Sequence, residues 1–302
     1  MTGLAAAVPE RRVLVRLADH TPALLGGLIL FVTAIACFSA PLVEGLLGID
    51  ADAVNLFNRF QPPGDGHPLG TDEIGRDVLV RLLQGGQVSL LVGLSAAFVA
   101  ALIGTLVGVC AGYFGGWLDS LLMRVTDGVI ALPLLPLLIV LAAIDLEKLG
   151  IPAEIAGSEQ MSLYRIVFIV SIAGWTTVAR IVRGTTLSLK QRTFVRAAVS
   201  LGAGPGHIIL RHLLPNLASP IIVATTLSVG NIILLESVLS FLGLGIQPPV
   251  PSWGNLLTNA QELIWQAPML AVYPGLAIFV TVISFNLLGD GLQDALDPRS
   301  TA

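Results

Sequence analysis

Apolar residues run along this chain in membrane-length blocks, separated by shorter polar stretches marked by glycine and proline. Six blocks are long and apolar enough to cross about 30 Å of hydrocarbon as helices. They lie near Ala23 to Leu42, Val88 to Ala111, Met123 to Ile144, Leu163 to Val182, Leu217 to Ser240 and Met269 to Leu288. The fourth is charge-free only from Ile166 to Ala179, so Arg165 and Arg180 are expected to snorkel outward at its two ends. In the second, Gly85, Ser89, Gly93, Ala97 and Ala101 recur every four residues and are followed by Gly104, Gly108 and Gly112. Small residues at that spacing let helix backbones approach closely, within a bundle or across a homodimer. Pro133 and Pro136 each remove a backbone donor from the third span and are expected to bend it.

Composition agrees with these blocks: 54% hydrophobic and 12% charged residues describe an all-α integral membrane protein, not a water-soluble domain. The net charge of −4 comes mostly from acids in the loops and the C-terminal tail, and gives no reason to expect nucleic acid. Cys37 and Cys110 both lie in apolar runs, which argues against a disulfide framework or a cysteine metal site.

Charge also orients the chain. No acidic residue falls between Glu159 and Glu236, whereas Arg180, Arg183, Lys190, Arg192, Arg196 and Arg211 do, so the loop after the fourth span is expected inside the cell. With the N-terminus inside, eleven Lys or Arg are cytoplasmic and five external, and both termini are cytoplasmic. The expected plan is an N-terminal tail at 1–22 and a first span with its external loop at 23–87. A five-helix core at 88–290 follows, holding the cytoplasmic loop 184–215, and then a C-terminal tail at 291–302. The N-tail carries Arg11, Arg12 and Arg16; the first external loop holds Glu44, Asp50, Asp52, Asp65, Asp72, Glu73 and Asp77. An alternative reading takes Arg11 to Ala36 as a signal peptide cut before Cys37, but the apolar run continues to Leu42.

Catalytic chemistry has little support. A phosphate-binding Walker loop needs Gly-Lys, and the only lysines, Lys148 and Lys190, follow Glu147 and Leu189. No metalloprotease or serine-hydrolase motif occurs, and His20, His67, His207 and His212 are not spaced as a ligand cluster. The grouping of Asp65, His67 and Asp72 reads as solvated loop residues, not a metal site. Only Asp127 and Glu236 are clear ionisable groups deep in the spans. Asp127 is expected to pair with Arg124 three residues earlier, while Glu236 is either functional or one turn from water at the outer end of the fifth span.

Five blocks carry a resemblance across almost the whole chain: His67-Pro-Leu-Gly70-Thr71-Asp72 with Gly75-Arg76-Asp77; Ala111 to Trp117; Ala197-Ala198 to Pro215; Ser240 to Pro249 with Pro251 to Gly254; and Asn286 to Arg299. In this order the chain resembles the permease subunits of bacterial ABC importers of the dipeptide, oligopeptide and nickel class. The resemblance implies a type I importer permease fold in the plasma membrane, a second homologous permease subunit, two cytoplasmic ATP-binding subunits and an external substrate-binding protein. It implies no cofactor in this chain, since ATP is held by the partner subunits. Peptides are the implied cargo; nickel or another small solute is the alternative within the family, and a self-sufficient secondary transporter the alternative outside it.

The resemblance makes the loop after the fourth span an ATPase-coupling loop, with Arg196, Ala197, Ala198, Gly202, Ala203, Pro205, Arg211, Leu214 and Pro215 as its marked positions. Arg196 stands where the family pattern usually has Glu, and His212 where it usually has an apolar residue. The residues themselves predict a helix over Thr193 to Leu201, a turn at Gly202, a stop at Pro205-Gly206 and a second helix from His207 into the next span. The external blocks are expected to form a platform for the binding protein or simply to seal the bundle, with Trp117, Trp253 and Trp265 suited to the membrane interface or its edge.

Overall fold

The computed structural model describes residues 16–64 and 66–296. Readings placed on Arg11, Arg12, Asp65 and Arg299 lie outside the described residues. Nine helices of eight residues or more carry the described fold: α1 (Thr21–Phe38), α2 (Ala40–Leu47), α3 (Val78–Phe114), α4 (Gly116–Ala131), α5 (Leu134–Ala142), α6 (Glu159–Lys190), α7 (Thr193–Ser200), α8 (Leu214–Phe241) and α9 (Met269–Leu296). Helices α1, α3, α6, α8 and α9 are each long and apolar enough to span, and the α4–α5 pair makes the sixth crossing when taken together.

That sixth crossing is broken. The two helices meet at 88°, with Leu132 extended between them. Pro133 stands at the break, where its ring disfavours a helical Leu132. Pro136 falls in the first turn of α5, where no helical donor is missed. Arg165 does not simply snorkel: its Nη2 donates to the carbonyls of Ala142 and Ile144, the latter at 3.0 Å, and so caps the end of α5.

Helix α3 begins ten residues before the expected span, because Asp77 caps it by accepting the Val80 N–H at 2.8 Å. Its first turns carry polar side chains, and each finds a partner. Arg81 bonds Asp52 at 2.9 Å, and Gln87 bonds the Cys37 carbonyl at 2.7 Å. At 37 residues α3 is about 55 Å long, well beyond a bilayer core.

The small residues of α3 are used up inside this chain. A side chain at Gly104 or Gly108 would come within 2.6 Å of the Trp175 or Ala179 carbonyl of α6, and one at Gly93 within 2.5 Å of Ile233 on α8. This is close packing within the bundle, not an open homodimer face. Helix α1 lies against α9 through Gly26, where a Cβ would meet Ser284 O at 2.7 Å.

The apolar interior divides into two clusters. The larger joins α3, α5, α6, α8 and α9 around Val170, Ile233, Trp253 and Phe285. The smaller lies at one end of the bundle, where Val195, Ile208 and Leu213 meet Val109, Val178, Val182 and Leu217. Large apolar side chains such as Phe31 on α1 and Phe98 on α3 point outward, as hydrocarbon solvent requires.

Candidate functional site

The smaller cluster sits beneath a hairpin formed by α7 and the start of the α8 segment. Helix α7 buries Val195 and half-buries Phe194 and Ala198, leaving Arg196, Ala197 and Val199 exposed. It ends in a Schellman motif: Ala203 N–H donates to Ala198 O at 3.0 Å and Gly202 N–H to Val199 O at 2.9 Å. Gly202 holds φ +84°, a conformation that a Cβ disfavours, although nothing crowds it within 4 Å. Leu201 projects from the apex, 89% exposed.

Pro205 opens the return arm, where its missing N–H costs nothing. That arm runs through a π-helical stretch, Ile209–Leu213, into α8, so that 205–241 form one 37-residue helical element. Arg211 is exposed on the π stretch; Leu214 is half-buried, Pro215 lies in the first turn of α8, and Ala203 packs on the small cluster. His212 reaches across the hairpin, its ring 6.2 Å from Phe194 and 5.6 Å from His207. The hairpin is thus packed onto α3, α6 and α8 through one apolar cluster, while its apex is open.

Two ion pairs tie α4 to α6 near this end. Asp119 receives Arg183 in a fork at 2.5 and 2.7 Å, and Asp127 receives Arg180 at 2.5 Å. The expected Asp127–Arg124 pair is therefore replaced by one across helices, because α6 runs close enough to bring Arg180 within reach. Lys190 at the end of α6 donates to Tyr113 O at 2.6 Å.

At the opposite end, the His67–Asp77 block folds as a knot that anchors the start of α3. Asp72 accepts from Ile74 N–H at 3.0 Å, Arg76 N–H at 2.9 Å and Arg76 Nε at 2.7 Å. Thr71 Oγ1 donates to Asn58 O and accepts from Gln61 N–H at 2.9 Å. His67 is not merely solvated: its Nδ1 lies 2.9 Å from Oδ2 of buried Asp77. Gly70 and Gly75 have φ of +80° and +81°, and a Cβ at either would overlap the Gln61 or Asn55 carbonyl. Among the described residues no group of three metal-ligating side chains comes together.

Glu236 lies behind this knot, one turn from the end of α8 yet fully buried and out of contact with water. Its carboxyl accepts from Ser240 Oγ at 2.7 Å and Ser89 Oγ at 3.2 Å, with Ser237 Oγ at 3.4 Å. Ser89 in turn accepts the Trp253 N–H at 3.1 Å, and Ser240 the Ile246 N–H at 3.1 Å. Trp253 is only 1% exposed, and its Nε1 donates to Leu82 O at 3.0 Å. It fills the core beside Gly86 and so is not at an interface, whereas Trp117 and Trp265 are exposed. Sequence reasoning missed Ser89, Ser240 and Trp253 as one network; the only local signal was Ser240 one helical turn after Glu236.

Residues 104–302 match the family described as the binding-protein-dependent transport system inner membrane component. Among relatives, the glutathione transport system permease protein GsiD of Escherichia coli O6:K15:H31 is 44% identical over 251 residues, covering 82% of this chain and 78% of the relative. The protein of the same description from Shigella flexneri serotype 5b is 46% identical over the same shares. With a multi-pass bundle, a packed polar hairpin and these similarities in place, the chain belongs to the binding-protein-dependent transport system inner membrane component family, as a permease subunit of an ABC importer.

Proposed function

We propose that this chain forms half of a translocation pathway for peptide-class solutes and that the hairpin from Thr193 to Leu214 couples it to cytoplasmic ATPases. In this reading the hairpin end and both termini face the cytoplasm, in accord with the run of Arg and Lys from Arg180 to Arg211. A homologous permease completes the pathway, two ATP-binding subunits drive it, and an external binding protein delivers cargo. The relatives named as glutathione permeases favour short peptides and peptide-like thiols as cargo.

The observation that carries the proposal is the hairpin's construction. An apex from Arg196 to Gly202, exposed except at half-buried Ala198, stands on an apolar cluster shared by α3, α6 and α8, and its return arm is continuous with α8. Force applied at the apex therefore moves several spans as a rigid group, which is what alternating access requires. Because Leu201 touches little of its own chain, Leu201→Glu should leave the bundle folded. In the reconstituted complex, the ATP hydrolysis elicited by cargo-loaded binding protein should fall at least about tenfold, with subunit assembly intact. Unchanged stimulation would refute the coupling role. Uptake of labelled peptides, glutathione and nickel chelates by the same complex identifies the cargo, and gradient-driven flux by this chain alone would favour a secondary transporter.

A further inference from the structure

Helix α1 changes partner as it crosses the bundle. Toward the hairpin end it lies on α9, where a Cβ on Gly291 would run into Ala23 and one on Gly26 would come within 2.7 Å of Ser284 O. Toward the knot end it lies on α3 instead: Gln87 donates to the Cys37 carbonyl at 2.7 Å, and a Cβ on Gly86 would overlap Cys37 Sγ. The change of partner opens a wedge between α1 and α9, a groove of about 340 Å³. Cys37 and Trp253 on its wall are buried, whereas Val32 of α1 and Leu276 of α9 are each 56% exposed.

The exposed flanks decide what can enter. Helices that pack in a membrane bring small residues to the contact, so that their backbones approach closely. Here the small residues Ala36 and Ala277 share the groove with branched, exposed Val32 and Leu276. Those branched side chains hold another helix off and leave a slot for a thin, flexible chain. The groove also continues the outward apolar surface of both helices, which carries Phe31 on α1 and Phe279 on α9. Hydrocarbon is the solvent of that surface, and the wall is too apolar to hold water.

Tyr273 gives the slot a polar end. It lines the groove in the second turn of α9, half-buried, and among the described residues no hydrogen bond engages its hydroxyl. The polar first turns of α3, with Arg81 bonded to Asp52, lie at this same end and mark the membrane boundary, where tyrosine hydroxyls meet polar lipid groups. Val280, also on the wall, is seven residues further along α9, about 10 Å deeper. A neighbouring helix has spent its carbonyls internally, whereas a glycerol ester carbonyl is free to accept from the phenol.

We propose that the groove between α1 and α9 is a binding site for a membrane phospholipid, one acyl chain lying along Ala36, Ala277 and Val280 and an ester carbonyl accepting from the Tyr273 hydroxyl. The lipid fills the wedge that α1 leaves when it crosses from α9 to α3. The site does not depend on which solute the complex carries.

The test loads membranes with a phosphatidylglycerol bearing a diazirine in its acyl chain, extracts the intact complex in mild detergent, removes bulk lipid and irradiates. Peptide mass spectrometry should find lipid adducts on residues 33–37 and 273–280 at least about fivefold above those around Phe98, an exposed apolar position on α3 away from the groove. Ala277→Trp, which fills the slot, should remove that excess and leave the adducts around Phe98 unchanged. Tyr273→Phe keeps the shape and loses one hydrogen bond, so the excess should fall about fivefold, and this variant answers the question if the tryptophan variant does not assemble. Equal adducts at the groove and around Phe98, or an excess unchanged in Tyr273→Phe, would overturn the proposal. So would an equal excess from a diazirine fatty acid, which has no ester, or a photoreactive residue at Val32 that cross-links to the homologous permease in place of lipid.

Discussion

Single residues set the far end of the molecule through backbone geometry. Gly75 and Gly150 have similar positive φ, +81° and +88°, but only Gly75 is hemmed in, against the Asn55 carbonyl. Gly150→Ala should therefore cost about 1 kcal/mol, the backbone term alone, while Gly75→Ala should cost more than about 2 kcal/mol by forcing the knot apart. Thermal unfolding of the detergent-solubilised complex distinguishes the two; equal losses would show that the Asn55 contact does not matter. The sequence marked Gly70 and Gly75 as a motif but not the reason for it, since the crowding carbonyls come from Gln61 and Asn55 earlier in the loop. Glu236 was visible as an intramembrane acid, yet its partner Ser89 lies 147 residues away and stood in the sequence only as one more small residue of α3. Asp127 misled for the same reason, with its partner Arg180 53 residues off and Arg124 temptingly near.

At the scale of elements, apolar length was an accurate guide to which segments are helices and a poor guide to where they stop. Helix α3 starts earlier than the apolar run because Asp77 caps it and because Asp52, Glu44 and the Cys37 carbonyl each bond one polar side chain of its first turns. None of that is written in hydropathy. The proline pair forecast a bend, but the 88° break depends on Leu132 adopting an extended backbone and on Arg165 capping α5 from another helix. The hairpin's turn at Gly202 was legible locally, but Pro205-Gly206, expected as a stop before a helix from His207, forms the first turn of the return arm instead, because proline at the first helical position misses no bond. The α3–α6 seam gives an element-scale prediction. Gly108→Ala places a Cβ 2.6 Å from the Ala179 carbonyl, which belongs to backbone and cannot rotate away, so the helices must separate. It should destabilise the bundle by about 1–3 kcal/mol and lower the yield of assembled complex. Gly184→Ala, with nothing within 4 Å, is the matched control on α6. A complex equally stable with either change would mean the seam is not held by close backbone approach.

The whole molecule is a bundle with two differently built ends. One end is a rigid knot, where loop carboxylates, the serine-lined Glu236 and buried Trp253 lock α3, α8 and the connecting loop together. The other is a basic hairpin standing on its own apolar cluster, with ion pairs bracing α4 against α6 beside it. Under the proposed coupling role, a push at the hairpin travels through these packed helices, and that role requires the hairpin end to meet the ATPases. Sidedness of the apex is therefore the decisive measurement. A cysteine placed at Leu201, with Cys37 and Cys110 replaced, is to be probed with a membrane-impermeant maleimide in intact cells and in inside-out vesicles. The account predicts labelling in the vesicles and none in intact cells; labelling in intact cells would contradict it.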